Sequence, residues 1–303
     1  MSNNRYRDFR KGSLSAFFLL SLLLPIGAQS AATLQKIAET GAVSIGFRES
    51  SPPFSYLAET RQPIGYSIEL CTKVIEAVKR ELKRTNLVVK YVPVSTSSRI
   101  SALTSGEIDL ECGSTTSTAE RRKEVEFTIP TFIAAARLLV REDSGIKSIF
   151  DLSGKTVVTT QGSSAERFFK ERNEERSLRA TVILGKDHVE SFALVESGKA
   201  HAFIMDDVLL YSLRSTAKNP DDYAITREAL TVEPLAIMLR KDDLSFKKLV
   251  DTEIARIITS GEVHAIYRKW FEAPIPPHRN NLRMPMSYML RDSFKMPTAW
   301  LPN

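Results

Sequence analysis

Twice along this chain, short apolar runs of strand length alternate with amphipathic stretches of helix length, and this alternation restricts the fold more than any other feature. In the first series Val43–Arg48 reads as a strand. Ile68, Cys71, Val74, Ile75, Val78 and Leu82 then recur at helical spacing, which predicts a helix over Gly65–Lys83 with one buried face. Leu87–Val94 follows as a strand, Arg99–Ser105 as a short helix ended by Gly106, and Ile108–Ser114 as another strand. The second series runs Thr156–Thr160 strand, Ser164–Glu175 helix, Thr181–Leu184 strand, His188–Ser197 helix, Ala200–Asp206 strand and Asp207–Thr216 helix. An extended run at Leu235–Arg240, a helix at Phe246–Thr259 and a second helix containing Tyr267, Trp270 and Phe271 complete the pattern. Pro274, Pro276 and Pro277 then open a tail of little periodicity. Strands alternating with helices form a mostly parallel sheet covered on both faces. Two such series predict an α/β protein of two lobes.

The first thirty residues stand apart. Arg5, Arg7, Arg10 and Lys11 precede an apolar core, Leu14–Leu24, which ends at Pro25 and Gly27 and is followed by the small residues Ala28 and Ser30. That is the layout of an export signal over residues 1–30, with cleavage after Ser30 or, alternatively, after Ala31 or Ala32. The other reading, an uncleaved anchor, is opposed by an apolar core shorter than the ~20 residues that span a bilayer. With no Cys beside the cleavage site, no lipid anchor is expected. Half of the formal net charge of +6 lies in this segment, so the remainder is too mildly basic to argue for nucleic acid. The mature protein is expected outside the cytoplasm, soluble and without a nucleic-acid partner.

Two cysteines remain, Cys71 and Cys112, and two readings of them stay open. An even number in an oxidising compartment permits one disulfide, but Cys71 on an apolar helical stripe and Cys112 in an apolar strand could equally pack as free thiols. They make no structural zinc site without His partners, and the four histidines are scattered.

No enzyme signature is present: no G-x-S-x-G elbow, phosphate loop, H-E-x-x-H or G-x-G-x-x-G. Binding is the better prospect. In open α/β sheets ligands lie beyond the carboxyl ends of the strands, which singles out Arg48, Thr96, Ser114, Thr116, Ser163, Ser164 and Asp206. Arg48, Arg99 and Arg121 each lie at or just after an element end, amid Ser and Thr rather than amid acids. A guanidinium is a planar fork that matches a carboxylate bidentately, and three forks suit a ligand with two carboxylates. Ser114-Thr115-Thr116 adds hydroxyls, and Asp206 offers an acceptor for an ammonium. Together these are the groups an amino acid requires.

The segments Arg48-Glu49-Ser50-Ser51-Pro52-Pro53-Phe54-Ser55-Tyr56, Ser105-Gly106-Glu107-Ile108-Asp109-Leu110-Glu111-Cys112-Gly113-Ser114-Thr115-Thr116, and Thr118-Ala119-Glu120-Arg121 through Phe127-Thr128 resemble the polar amino-acid periplasmic binding proteins of ABC transporters. Gly185-Lys186-Asp187-His188, Phe203-Ile204-Met205-Asp206-Asp207, Met238-Leu239-Arg240-Lys241-Asp242-Asp243 and Trp270-Phe271 narrow the resemblance to the glutamate/aspartate-binding members. It runs from about residue 33 to 280 and implies a division of labour. Arg121, Thr116 and Ser164 would hold the ligand α-carboxylate, and Ser114, Thr116 and Asp206 the α-ammonium. Arg48, Thr96, Arg99 and His188 would hold the side-chain carboxylate. Ser stands where the family pattern has Thr at positions 163 and 164, and Thr where it has Ser at position 96; each exchange keeps a hydroxyl.

The resemblance also implies two lobes joined by two crossover strands, expected near Thr128–Ala136 and Thr231–Leu235. Lobe one would comprise residues 33–131 plus 232–303, and lobe two residues 132–231. The expected function is capture of L-glutamate or L-aspartate between the lobes by a periplasmic monomer, and delivery to an ABC transporter permease in the inner membrane. No cofactor and no metal is expected. The rival readings are a secreted, dehydratase-like enzyme on this fold and a sensory or adhesive protein.

Overall fold

The computed structural model describes residues 32–277 and 279–298, so the export signal expected over residues 1–30 lies outside the described residues. The chain folds into two lobes, each built on its own sheet. In the first lobe, β1 (Ala42–Phe47) is buried along its whole length, and parallel partners flank it: β2 (Val88–Pro93) and β3 (Leu110–Glu111). Between β1 and β2 runs the helix Tyr66–Glu81, which turns Ile68, Cys71, Val74, Ile75 and Val78 into the core, the stripe that the periodicity predicts. β4 (Val125–Phe127) lies at the far edge.

The second lobe begins with a strand that the sequence reading only half anticipates. β5 (Phe132–Arg141) is ten residues long: its first half is the crossover between lobes, and its second half pairs antiparallel with β8 (Ala202–Asp206). β6 (Thr156–Thr160) and β7 (Thr181–Gly185) are parallel to β8, and the short β9 (Tyr223–Ile225) closes the other edge beyond β5. The order is therefore β7-β6-β8-β5-β9. Leu138, Val157, Phe169, Ala202 and Ile204 pack in the core beneath it.

The chain returns through β10 (Thr231–Leu235), antiparallel to β5 in the register Ala136↔Thr231 to Phe132↔Leu235. Two adjacent strands thus join the lobes. The extended run expected over Leu235–Arg240 is two strands rather than one. After Leu235 the backbone leaves the crossover ladder, Ala236 N donates to Thr115 O, and β11 (Met238–Arg240) starts afresh. β11 inserts between β3 and β4, antiparallel to both.

The lower end of the crossover is anchored by aromatic rings. Phe132, the first residue of β5, stacks on Phe271 with centroids 4.9 Å apart and meets Phe54 edge-on at 5.0 Å. Tyr66 Oη donates to Thr131 O at 2.9 Å, fixing the residue just before the strand. Offset and edge-to-face pairs of this kind add about 0.5–1.5 kcal/mol each beyond burial.

Cys71 and Cys112 are joined by a disulfide, with Cα atoms 6.4 Å apart. It ties the helix Tyr66–Glu81 to the segment leaving β3. The tail is more ordered than its lack of periodicity suggests. Pro274–Ile275 pairs with Asn280–Asn281, and the helix Tyr288–Ser293 buries Leu290, with Met286 and Phe294, in the main core. Single anchors spaced by loops leave no repeat for a pattern search to detect. No helix among the described residues is long and apolar enough to cross a membrane.

Candidate functional site

The carboxyl ends of both sheets face each other across the crossover, and the residues that follow the strands converge there. Arg48 follows β1 and is 2% exposed; its Nη2 donates to Thr96 Oγ1, which lies beyond β2. Arg99 opens the helix Arg99–Thr104 and is similarly buried. Ser114 and Thr116 lie on the segment that leaves β3 and runs beside β10 through a bridge between Thr116 and Leu235. Arg121 departs from the basic triplet around it. Its guanidinium turns back, with Nη1 donating to Thr116 O and Nη2 crossing to Gly162 O of the other lobe, each at 3.0 Å.

From the second lobe come Ser164, at the start of the helix Ser164–Glu175, and Ser163, whose hydroxyl caps that helix by accepting from Glu166 N. His188 begins the helix His188–Glu196, whose cap is Asp187. Asp206 ends β8 and precedes the helix Asp207–Arg214 without capping it. Hydrogen bonds and electrostatic contacts thus bring together Arg48, Thr96, Arg99, Thr116, Arg121, Ser164, His188 and Asp206, and Ser114 lies two residues before Thr116. Gly162 approaches the first lobe so closely that a Cβ there would lie 2.9 Å from Ser97 Cα, and its φ of +77° favours glycine.

The decisive feature of this cleft is which of its buried polar atoms lack an intramolecular partner. They include Arg48 Nη1, Arg99 Nε, Ser114 Oγ, His188 Nε2 and both carboxylate oxygens of Asp206. Buried polar groups in native proteins are almost always hydrogen-bonded, and an unpaired one costs about 1–3 kcal/mol, more if charged. Such a concentration at one place marks a site for a ligand that carries both an anionic and a cationic group.

Electrostatics agrees. Burial, then the neighbouring Arg121, lowers the pKa of Arg99 well below that of a free arginine. Burial likewise lowers Arg48 and Arg121. His188 is pushed well below the usual histidine range, first by burial and then by Arg48 and Arg99, so its ring is neutral near pH 7. Its Nδ1 pairs with Thr160 Oγ1 at 2.9 Å, leaving Nε2 for the cleft. Asp206 is raised well above the usual carboxylate range, by burial first and then by Glu233 and Asp207.

Two acids escaped the sequence reading, which found the arginines free of acidic company. Glu111, fully buried on β3, and Glu233, on β10, both reach the cleft. Glu233 accepts from Ser164 Oγ at 3.0 Å and so engages a hydroxyl that the resemblance assigns to the ligand α-carboxylate. Glu111 stands three residues before Ser114, on the strand that delivers it; that proximity was the available signal. At the mouth a cavity of about 460 Å³ is lined by Arg121, Gly162, Ser163, Ser164 and Glu166. Among the described residues no group of three or more His, Cys, Asp or Glu could hold a metal ion.

Residues 43–273 match the bacterial extracellular solute-binding proteins, family 3. The chain belongs to that family. Its relatives include the L-glutamate/L-aspartate-binding protein of Pseudomonas aeruginosa, 46% identical over 88% of each chain. Another is the glutamate/aspartate import solute-binding protein of Escherichia coli K12, 42% identical with 88% of each chain covered. Among solved structures, a mutant of ArgBP from T. maritima superposes with a TM-score of 0.69 at 25% identity, covering 78% of this chain and 98% of that one. This family 3 protein thus has the two-lobed binding-protein fold, with the cleft between its lobes.

Proposed function

We propose that this family 3 protein captures L-glutamate or L-aspartate between its lobes and delivers it to the permease of an ABC transporter in the inner membrane. One observation carries the reading: Arg48 Nη1, Arg99 Nε and both carboxylate oxygens of Asp206 are buried without an intramolecular partner, and the Arg121 guanidinium lies beside them, a set that suits two carboxylates and an ammonium. The names of the relatives at 46% and 42% identity point the same way. Arg121, with Thr116 and Ser164, takes the α-carboxylate. Ser114, Thr116 and Asp206 take the ammonium. Arg48, Thr96, Arg99 and His188 take the side-chain carboxylate, with neutral His188 donating one hydrogen bond through Nε2–H while its Nδ1 accepts from Thr160 Oγ1. Ligand entry in an open form and burial in a closed form give the permease a state to recognise.

We further assign residues 33–131 plus 232–303 to lobe one and 132–231 to lobe two, because the chain passes between sheets along the adjacent strands β5 and β10. The protein acts as a periplasmic monomer exported by the signal over residues 1–30, and it binds its ligand without converting it. Calorimetric titration of the mature protein with the twenty amino acids tests the central claim. Glutamate and aspartate should bind far more tightly than glutamine and asparagine; equal affinity for acids and amides would refute it. Chromatography of the recovered ligand should show no product.

A further inference from the structure

Glu111 is fully buried, yet only one of its carboxylate oxygens has a partner: Oε2 accepts from the buried Thr115 Oγ1 at 2.8 Å, while Oε1 has none. Its position is built for. Gly113 lacks the Cβ that would lie 2.2 Å from Glu111 Oε1 and 2.9 Å from Arg48 Cγ, so this glycine lets the carboxylate lie against the arginine side chain. Among the described residues, Glu111 is also the one acid that bears on all three cleft arginines, Arg48, Arg99 and Arg121. Glu233 bears on Arg121 alone among them, and its oxygens are taken by Ser164 and Thr231 hydroxyls. Asp187 bears on Arg48 but is partly solvated and caps the helix His188–Glu196 through Glu190 N.

We infer that Glu111 sets the charge a ligand must bring to the Arg48/Arg99 half of the cleft, and so determines the preference for a side-chain carboxylate over a carboxamide. The inference rests on the reading of this cleft as a site for acidic amino acids. Apart from Arg121 and Asp206, which face the ligand's α-carboxylate and ammonium, and the partly solvated Asp187, that half holds two guanidiniums, a neutral His188 and one carboxylate, a net charge of one positive unit. A single side-chain carboxylate neutralises it; a carboxamide does not. Without Glu111 the same half carries two positive units. The attraction for an anionic side chain then grows, while a neutral side chain leaves more charge unbalanced. Glu111 is thus a moderator: it keeps the arginines tolerable in the unliganded cleft and limits how strongly the site favours acid over amide. A merely structural counter-ion would alter stability and leave the ratio of affinities alone.

The test is calorimetric titration of the native chain, Glu111→Gln and Thr115→Val with glutamate and with glutamine. Glu111→Gln keeps the shape and an acceptor for Thr115; it should raise the glutamate-to-glutamine affinity ratio by about tenfold. Thr115→Val removes the hydroxyl that disperses the carboxylate charge, so Glu111 neutralises the arginines more fully and the ratio should fall by about threefold. The opposite directions are the signature, and the conservative Thr115→Val supplies the answer should Glu111→Gln fail to fold. A ratio unchanged in the variants that fold overturns the inference alone. A native chain that binds neither amino acid overturns the reading of the cleft and the inference with it.

Discussion

Arg48 and Arg99 are each about 2–3% exposed, and among the described residues neither is engaged by a salt bridge to a protein carboxylate. Replacing either by Met should therefore remove one side of a buried ion pair with the ligand, weakening glutamate by about 2–5 kcal/mol. At about 1.4 kcal/mol per decade this is roughly 30-fold to several thousand-fold. Glutamine should lose far less, and titration of both variants with both ligands checks the difference. Arg121→Met should weaken every amino acid, since the α-carboxylate is common to all. Protonation gives a second prediction. Burial raises the pKa of Asp206, whereas a bound ammonium would favour its carboxylate form, so ligand binding should release a proton. Affinity should consequently rise with pH through the window between the ordinary carboxylate value of 3.8 and the raised one. Titrations in buffers of different ionisation enthalpy check this, and identical heats would contradict it. His188 acts on stability with a definite sign: its folded pKa lies below its unfolded value near 6.5. Stability is fully present above pH 6.5 and is lost as pH falls towards the folded value, because the unfolded state takes up the proton first. At this scale the sequence was informative wherever a polar residue directly followed a strand, as with Arg48, Ser114 and Asp206. For Glu111 it offered only the place three residues before Ser114, and the carboxylate reaches the arginines because β1 and β3 are neighbours.

Elements were legible where one face is apolar and the rest polar. The helix Tyr66–Glu81 is one case: it ends two residues before the predicted Lys83, its buried stripe runs to Val78, and half-buried Leu82, the last residue of the predicted stripe, lies just beyond it as the C-cap. β5 was harder to read. Buried and half-buried residues alternate from Phe132 to Arg137, but Leu138, Leu139 and Val140 are then buried in succession. The pattern changes because the first half of the strand belongs to the crossover and the second to a sheet core. The helix Tyr288–Ser293 gave no signal because six residues make too few turns for a period. Leu290 nevertheless is 1% exposed, so Leu290→Ala should cost about 2–5 kcal/mol by chemical denaturation. A neutral outcome would mean that the tail contributes nothing to the core. The disulfide closes a loop of sequence separation 41, which in the chain-entropy model stabilises the fold by about 3–4 kcal/mol. Reduction, or the double Ser variant, should lower the melting temperature accordingly, while leaving the cleft residues in place.

At the scale of the molecule, contacts close the cleft from both sides. Arg121 reaches Gly162 O, Thr116 Oγ1 approaches Ser164 Oγ at 3.4 Å, and Arg167 pairs with Glu120. On the opposite rim, Asn280 of the tail donates to Ser215 O at 2.9 Å. The Arg167–Glu120 pair is exposed and worth no more than about 1 kcal/mol, so closure depends on the ligand and the buried contacts. Saturating glutamate should therefore shrink the radius of gyration, and superimposable scattering curves with and without it would argue against a hinge. The two series of alternating elements announced two lobes in the sequence. What they could not announce was the destination of β11, which depends on pairing between segments more than a hundred residues apart. That destination shapes the order of events for a chain that emerges N-terminus first. Met238–Arg240 fills the gap between Leu110–Glu111 and Val125–Phe127, so the earlier strands wait for it with open edges. The second sheet has every strand in hand by Leu235, whereas the first stays incomplete until Met238–Arg240 arrives. A chain that ends just short of Met238 should thus resist protease in one half and yield to it in the other, and it is the unfinished half that a holdase would need to shield.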